Sequence, residues 1–262
     1  MAGSERLGKH KAKVAVALVL TFVSGLVDIV GFLGVYHLFT AHVTGTTVHL
    51  GQSIAQGSRT DAIAACAIVA AFFLGDVVAR AIIEAGARRR FRNIASVALG
   101  IEAAMIAFVA AGNLPRAHAG APLLHGAAHA YVYVAIFAGA MGVQTAMLTG
   151  VGPLTVHTTF VTGMVNKLAQ LASRIAFRAF DFSRGVRDTP EKRKEQSAES
   201  QQAIFMFSIW AFYVLGAAGG TASYMKWGFR ALLVAIAGLM IGIATDMVTP
   251  LSVEEEKEQA ER

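Results

Sequence analysis

Six apolar runs, at 14–38, 62–83, 94–112, 128–149, 204–224 and 229–248, restrict this chain to folds that can hide backbone in hydrocarbon. A bilayer core of ~30 Å takes ~20 apolar residues in helical form, and each run reaches or nearly reaches that length. Lipid cannot satisfy N–H and C=O groups, so only helices and closed barrels cross it. Long unalternating runs predict helices. The expected class is an all-α integral membrane protein. Composition agrees. The chain is 55% hydrophobic and 15% charged, against about 25% charged in an average soluble domain.

Charge position adds topology. The net charge of +6 is no nucleic-acid footprint, because the charges are segregated beside apolar runs. The single cysteine, Cys66, excludes an intrachain disulfide. The start, with Arg6, Lys9, Lys11 and Lys13 before an apolar run, imitates a signal peptide. The run continues to about Phe39, beyond a signal core of roughly 7–15 residues, and no A-x-A site follows. It reads as an uncleaved first span.

Two segments fit no simple span. Residues 43–57 are short and polar, and 161–180 are amphipathic. In the latter, Val161, Met164, Val165, Leu168, Leu171, Ala172 and Ile175 share a stripe, with Lys167, Gln170, Arg174 and Arg178 opposite. If neither crosses and both termini are cytoplasmic, every Lys and Arg lies inside except Arg59, Arg116, Lys226 and Arg230. If both crossed, the Arg80–Arg92 cluster would lie outside, against the positive-inside rule. The expectation is about six transmembrane helices plus two short re-entrant or interfacial helices.

Self-similarity divides these elements into two halves. LVDIVGF and HVTGTTVHLGQ at 26–52 are followed by GVQTAML and FVTGMVNKLAQ at 142–170. Phe73-Leu74-Gly75 has a counterpart in Val214-Leu215-Gly216. Each copy reads span, break with V-T-G, short helix, span, span. An odd number of spans per copy predicts two inverted structural repeats. The expected organisation is a basic cytoplasmic tail (1–13), a first membrane repeat (14–112), a periplasmic loop (113–127), a second repeat (128–248) containing a cytoplasmic basic loop (181–203), and an acidic cytoplasmic tail (249–262). The loop and the tail are expected to be flexible.

The V-T-G elements carry a physical expectation. A helix broken at membrane depth survives only buried in protein or lining a wet cavity. Gly45 and Gly163 permit unusual backbone, and Thr44 and Thr162 are good N-caps. A helix starting there aims free N–H groups and a positive dipole end into the protein. Gly150, Gly152 and Pro153 mark the second break. An ordinary loop before a surface helix is the plainer alternative.

SGLVDIVGFL at 24–33, TAHVTGTT at 40–47, MGVQTAML at 141–148 and TTFVTGMV at 158–165 occur in one order. In these pieces the chain resembles the YoaK family, over nearly its whole length apart from the tails. The resemblance implies a multi-pass bacterial inner-membrane protein and no settled substrate. Members commonly carry Asn after the first T-G, where this chain has Thr46, so a role tied to that amide does not carry over.

Polar groups at membrane depth are candidate functional residues. Asp28 lies in the first span, and its alternative is a carboxyl bonded to a neighbouring Ser or Thr. Gln144 takes the corresponding place in the second copy. Glu102 sits mid-span, against a buried pairing with Arg80 or Thr. Asp76 and Arg80, four apart, are expected to pair. His42 and His49 flank the first T-G and His157 the second, and interfacial histidine is the plainer reading. Asp246 and His37 lie near span ends and need no special role. The candidate pathway is thus Asp28, His42, Thr44, Gly45, Glu102, Gln144, Thr162 and Gly163, with no catalytic residue, metal or cofactor. Gly216-x-x-x-Gly220 and Gly238-x-x-x-Gly242 are expected intra-chain packing faces.

The leading function is a secondary transporter or permease of an unknown small solute, with proton coupling through Asp28 or Glu102. A membrane-embedded enzyme is the alternative, but H-E-x-x-H, G-x-S-x-G, Walker A and clustered metal ligands are missing. A non-transporting regulatory or interaction protein is the third reading. The partners implied are the lipid bilayer and a small solute. Nucleic acid is not implied, and a homo-oligomer is left open.

Overall fold

The computed structural model describes residues 2–36, 39–113, 128–147, 150–151, 154–155, 161–184 and 189–251. They form eight helices: α1 (Ala2–Gly31, extended by a π-helical turn Phe32–Tyr36), α2 (Val43–Ala55), α3 (Arg59–Arg88), α4 (Ile94–Gly112), α5 (Ala128–Met147), α6 (Val161–Ser183), α7 (Pro190–Trp227) and α8 (Leu232–Val248). A two-residue ladder, β1 (Gly150–Val151) and β2 (Leu154–Thr155), lies between α5 and α6. Of the break expected there, Gly150 pairs in this ladder, and Gly152 and Pro153 lie outside the described residues.

Four described stretches are long and apolar enough to cross a membrane: His10–Val35, Arg59–Arg88, Ile94–Gly112 and Glu195–Val248. The last is divided into α7 and α8 at Gly228, where φ is +56°. The apolar part of α5, Tyr131–Met147, is shorter. Large apolar side chains such as Phe73, Leu74, Phe108 and Leu215 point outward, as lipid-facing positions do.

Residues 190–203, expected within a flexible loop, are helical. Thr189 caps α7 by accepting from the Lys192 N–H, and Pro190 occupies the first turn, where its missing N–H costs nothing. This extension is tied to α6. Arg174 and Arg178 reach Glu199 at 3.2 and 2.8 Å, and Arg178 reaches Glu195 at 3.5 Å. The basic face of α6 is therefore spent largely on α7.

Packing follows two long helix pairs, α1 beside α7 and α3 beside α5. Glycine decides both. A Cβ on Gly25 would strike the Tyr213 carbonyl and one on Gly216 the Phe22 carbonyl. A Cβ on Gly142 would strike the Phe72 carbonyl and one on Gly75 the Gly139 carbonyl. Without a hydrophobic force between helices in lipid, such close backbone approach is what makes association favourable. The contacts advance together along both members, so each pair is parallel. Helix α4 packs between α5 and α8, and α8 also packs on α1. Val16 and Leu20 meet Gly242 while Val23 meets Gly238, so α1 and α8 are antiparallel. The core between these helices includes Leu20, Val27, Leu99, Ile106, Phe137, Met141 and Leu239. Gly238 and Gly242 serve this packing within the chain, and Gly220 closes on Leu26 and Ile29.

The short helices hang on the long ones. Helix α2 folds back on α3 through the turn at Gly57, whose φ of +71° suits glycine. Helix α6 folds along α7. The expected pair Asp76–Arg80 forms at 3.0 Å on the surface of α3.

Candidate functional site

The site is built where α1 ends and the chain turns back. Phe39 stacks on Phe32 with ring centroids 4.5 Å apart, folding residues 39–42 against α1. Gly31 leaves room for Thr40, whose Cγ2 lies 3.1 Å from where a Cβ would sit. Thr40 and Ala41 thereby come level with Asp28. Its Oδ1 accepts from the Thr40 N–H at 2.7 Å, the Thr40 hydroxyl at 3.0 Å and the Ala41 N–H at 3.0 Å. Oδ2 accepts from the Tyr213 hydroxyl of α7 at 2.8 Å. Asp28 is 1% exposed. Four hydrogen bonds to a buried carboxylate offset much of its desolvation, since bonds to an ionised acceptor are the strong ones.

His42 completes the cluster. Its Nε2 lies 3.3 Å from the Tyr213 oxygen, and its Nδ1 3.7 Å from Asp28 Oδ2. The tyrosine has one proton and gives it to Asp28. The Tyr213 oxygen is then an acceptor, and His42 Nε2 carries the hydrogen between them. The His42 side chain is 38% exposed, so the cluster has one dry end at Asp28 and one open end at the imidazole.

Helix α2 starts from this cluster, with His42 rather than Thr44 at its N-cap position. Thr44 and Gly45 lie in its first exposed turn. Gly45 is helical without positive φ, and a Cβ there meets open space, so neither residue forms the break as expected. The physical reason is that the carboxylate of Asp28 holds the preceding backbone, which makes a local Thr cap and a special glycine unnecessary. Buried Thr46, one turn on, shares its hydroxyl hydrogen between the Phe39 and His42 carbonyls at 3.2 and 3.1 Å. His49 remains on α2, half-buried. The N–H groups of Thr44 and Gly45, in the first turn of α2, have no preceding helical turn to bond to.

The other predicted residues lie outside this hydrogen-bonded cluster. Thr162 is exposed and Gly163 half-buried in the first turn of α6. Gln144 is fully buried on α5, and its Nε2 donates to the Leu20 carbonyl of α1. Glu102 is fully buried on α4 and has neither expected partner; among the described residues both its oxygens lack one. His37 and His157 fall outside the described residues.

Two participants were not anticipated. Tyr213 was hidden in an apolar run, although a phenol at membrane depth needs a partner. Asp246 takes more than a span-end position. Its Oδ2 accepts from the Ser96 N–H at 2.8 Å and hydroxyl at 2.7 Å, and its Oδ1 from the Leu251 N–H at 2.9 Å. It caps α4 from α8, as Asp28 caps the segment leading into α2. No group of three or more His, Cys, Asp or Glu that could hold a metal ion occurs among the described residues.

Long apolar helices, a helix break held by a buried carboxylate, and a lipid-facing apolar surface define a polytopic helical membrane protein. The chain belongs to the family described as a protein of unknown function, DUF1275, whose profile matches residues 16–245. It is 24% identical over 160 residues to the UPF0700 transmembrane protein YoaK of Bacillus subtilis (strain 168), covering 61% of this chain and 67% of that protein. No solved structure matches the chain.

Proposed function

We propose that this protein is a secondary transporter of a small solute, formed by two inverted repeats in a bacterial inner membrane, with both termini cytoplasmic. The observation that carries the reading is the re-entry at Asp28. A buried carboxylate draws the chain back along α1 so that α2 begins beside a half-exposed histidine. Transporters use such discontinuous helices to aim polar backbone at a solute near the membrane midplane.

The repeat reading assigns six spans to α1, α3, α4, α5, α7 and α8, and re-entrant or interfacial roles to α2 and α6. Its support is the exchange of partners. Helices α1 to α4 pack on α7, α3, α5 and α8 as α5 to α8 pack on α3, α7, α1 and α4. Gly25 against Tyr213 and Ala217 has its counterpart in Gly142 against Phe72 and Asp76. These glycines set the register. Within this reading the glycine register pairs Asp28 with Thr145 rather than with Gln144, and the two halves then differ in charge at this place.

Uptake by proteoliposomes over a panel of solutes, with and without a pH gradient, tests the reading. Asp28→Asn is expected to abolish or uncouple uptake while leaving membrane insertion intact. Wild-type uptake with unchanged pH dependence in that variant removes Asp28 from the mechanism. No uptake of any solute by the wild type removes the transport reading.

A further inference from the structure

We propose that a small cation with no hydrogen-bonding needs of its own beyond acceptors, sodium or a proton, binds inside the helical assembly on Glu102 and Gln144. The starting point is a contrast between two buried carboxyls. Asp28 has a donor on every side. Glu102 is 0% exposed and neither oxygen has a partner among the described residues. An ionised carboxyl left this way is an uncompensated charge at membrane depth, and a neutral one leaves its hydroxyl unused. Proteins keep such groups where something else comes to them.

Gln144 supplies the second, independent observation. One of its two amide hydrogens goes to the Leu20 carbonyl, and its Oε1 is buried without a partner among the described residues. The two side chains are linked through shared neighbours on α1 and α4. Leu20 Cδ2 and Leu99 Cδ1 both approach Gly242, at 3.8 and 3.1 Å from its Cβ position. Glu102 follows Leu99 by three residues on the same face of α4. Gln144 is bonded to Leu20 itself. On α1, buried Thr21 and Ser24 spend their hydroxyl protons on the Ala17 and Leu20 carbonyls, at 2.7 and 3.1 Å. Their oxygens remain acceptors. In these side chains oxygen lone pairs outnumber unused donors, one Gln144 amide hydrogen being the donor not taken up. Fully buried oxygens of this kind suit a bare cation, which takes hard oxygen ligands.

Titratable groups on the surrounding elements are engaged elsewhere. On α3, Asp76 pairs with Arg80 and Glu84 with Arg88. On α8, Asp246 is held by Ser96 and Leu251. On α5, Tyr133 lies against Gly112 at the far end of α4, and Tyr131 lies a further residue pair toward that end. On α1, Asp28 is in its own cluster and Lys13 lies near the opposite end of the helix. None of them is a partner of Glu102.

This assignment rests on the transport reading only for what the cation does, since binding itself needs no transport. It places cation binding on Glu102, in addition to the Asp28 cluster that holds the start of α2. The test uses the detergent-purified full chain. Thermal unfolding is measured in sodium chloride and in choline chloride at equal ionic strength. The protonated-carboxyl infrared band is followed through a pH titration. Both are repeated for Glu102→Gln and Gln144→Leu, with surface Glu84→Gln as control. Sodium binding predicts an upward shift of several degrees in the wild type and the control, lost in Glu102→Gln and reduced in Gln144→Leu. Proton binding predicts no sodium shift and a titrating band that Glu102→Gln deletes and Gln144→Leu displaces. If Glu102→Gln does not fold, Gln144→Leu must still weaken the shift or move the band. A sodium shift that survives both variants overturns the site, as does the absence of both the shift and a titrating band. Binding without uptake of any solute leaves the site standing and removes the transport reading. Uptake without binding does the reverse.

Discussion

The Tyr213 hydroxyl donates to Asp28 Oδ2 at 2.8 Å across 185 positions of sequence, joining the last turns of α1 to the middle of α7. The same carboxylate holds the backbone of Thr40 and Ala41. One side chain therefore ties together a long helix pair and the backbone that leads into α2.

Tyr213→Phe removes one donor from a buried carboxylate without changing shape. A bond to a charged group contributes about 1.5–3 kcal/mol, and Tyr213 is 9% exposed. A loss of that size in thermal or denaturant unfolding is expected. Asp28→Asn removes the charge that three other donors share and is expected to cost at least as much. Wild-type stability in Tyr213→Phe would show that the bond is not held in the membrane.

Glycine substitutions should separate into two groups. Gly25→Ala, Gly75→Ala, Gly142→Ala and Gly216→Ala each put a methyl into a neighbouring backbone, and reduced yield and melting temperature are expected. Gly45→Ala and Gly51→Ala meet open space on α2 and should be neutral or stabilise by up to about 1 kcal/mol through helix propensity. Lost uptake in a stable Gly45→Ala protein would then report a blocked solute path. Equal melting temperatures across all six variants would refute the close-packed seams.

Ser96→Ala leaves Asp246 Oδ2 with the backbone bond alone. Loss of a helix-end side-chain bond costs ~1 kcal/mol. Asp246→Ala, which frees the Ser96 N–H and the Leu251 N–H as well, should cost more. Hydrogen exchange at the start of α4 should rise in both, and unchanged exchange there would exclude the cap.

Topology is testable with single cysteines in a Cys66→Ala background. Gln56→Cys, at the α2–α3 turn, and Arg92→Cys, at the α3–α4 turn, lie at opposite ends of α3. Its 30 residues span about 45 Å, more than a bilayer core. An impermeant thiol reagent added outside should label residue 56 and not residue 92. Labelling of both from one side would sink the assignment.

The helices were legible in the residues. Ile94–Gly112 matches its apolar run residue for residue, because burial in lipid demands an uninterrupted apolar stretch and helical hydrogen bonds are local. The segments at 43–57 and 161–180 stood apart as polar or amphipathic stretches, and neither α2 nor α6 is among the helices long and apolar enough to cross a membrane. Asp28 stood out because a charge in an apolar run is rare whatever surrounds it. Partners were not legible. Nothing near Asp28 in sequence names Tyr213, and nothing near Asp246 names Ser96. Thr44 and Gly45 satisfied local rules for a cap and a break, yet the tertiary structure gave that work to a carboxylate from α1. Long-range hydrogen bonds depend on which helices approach and in what register, and the glycines that permit the approach carry no record of the backbone they touch. Glu102 shows the same division: its residue type and apolar neighbours mark it as costly, and only the packing of α4 leaves both its oxygens without a partner.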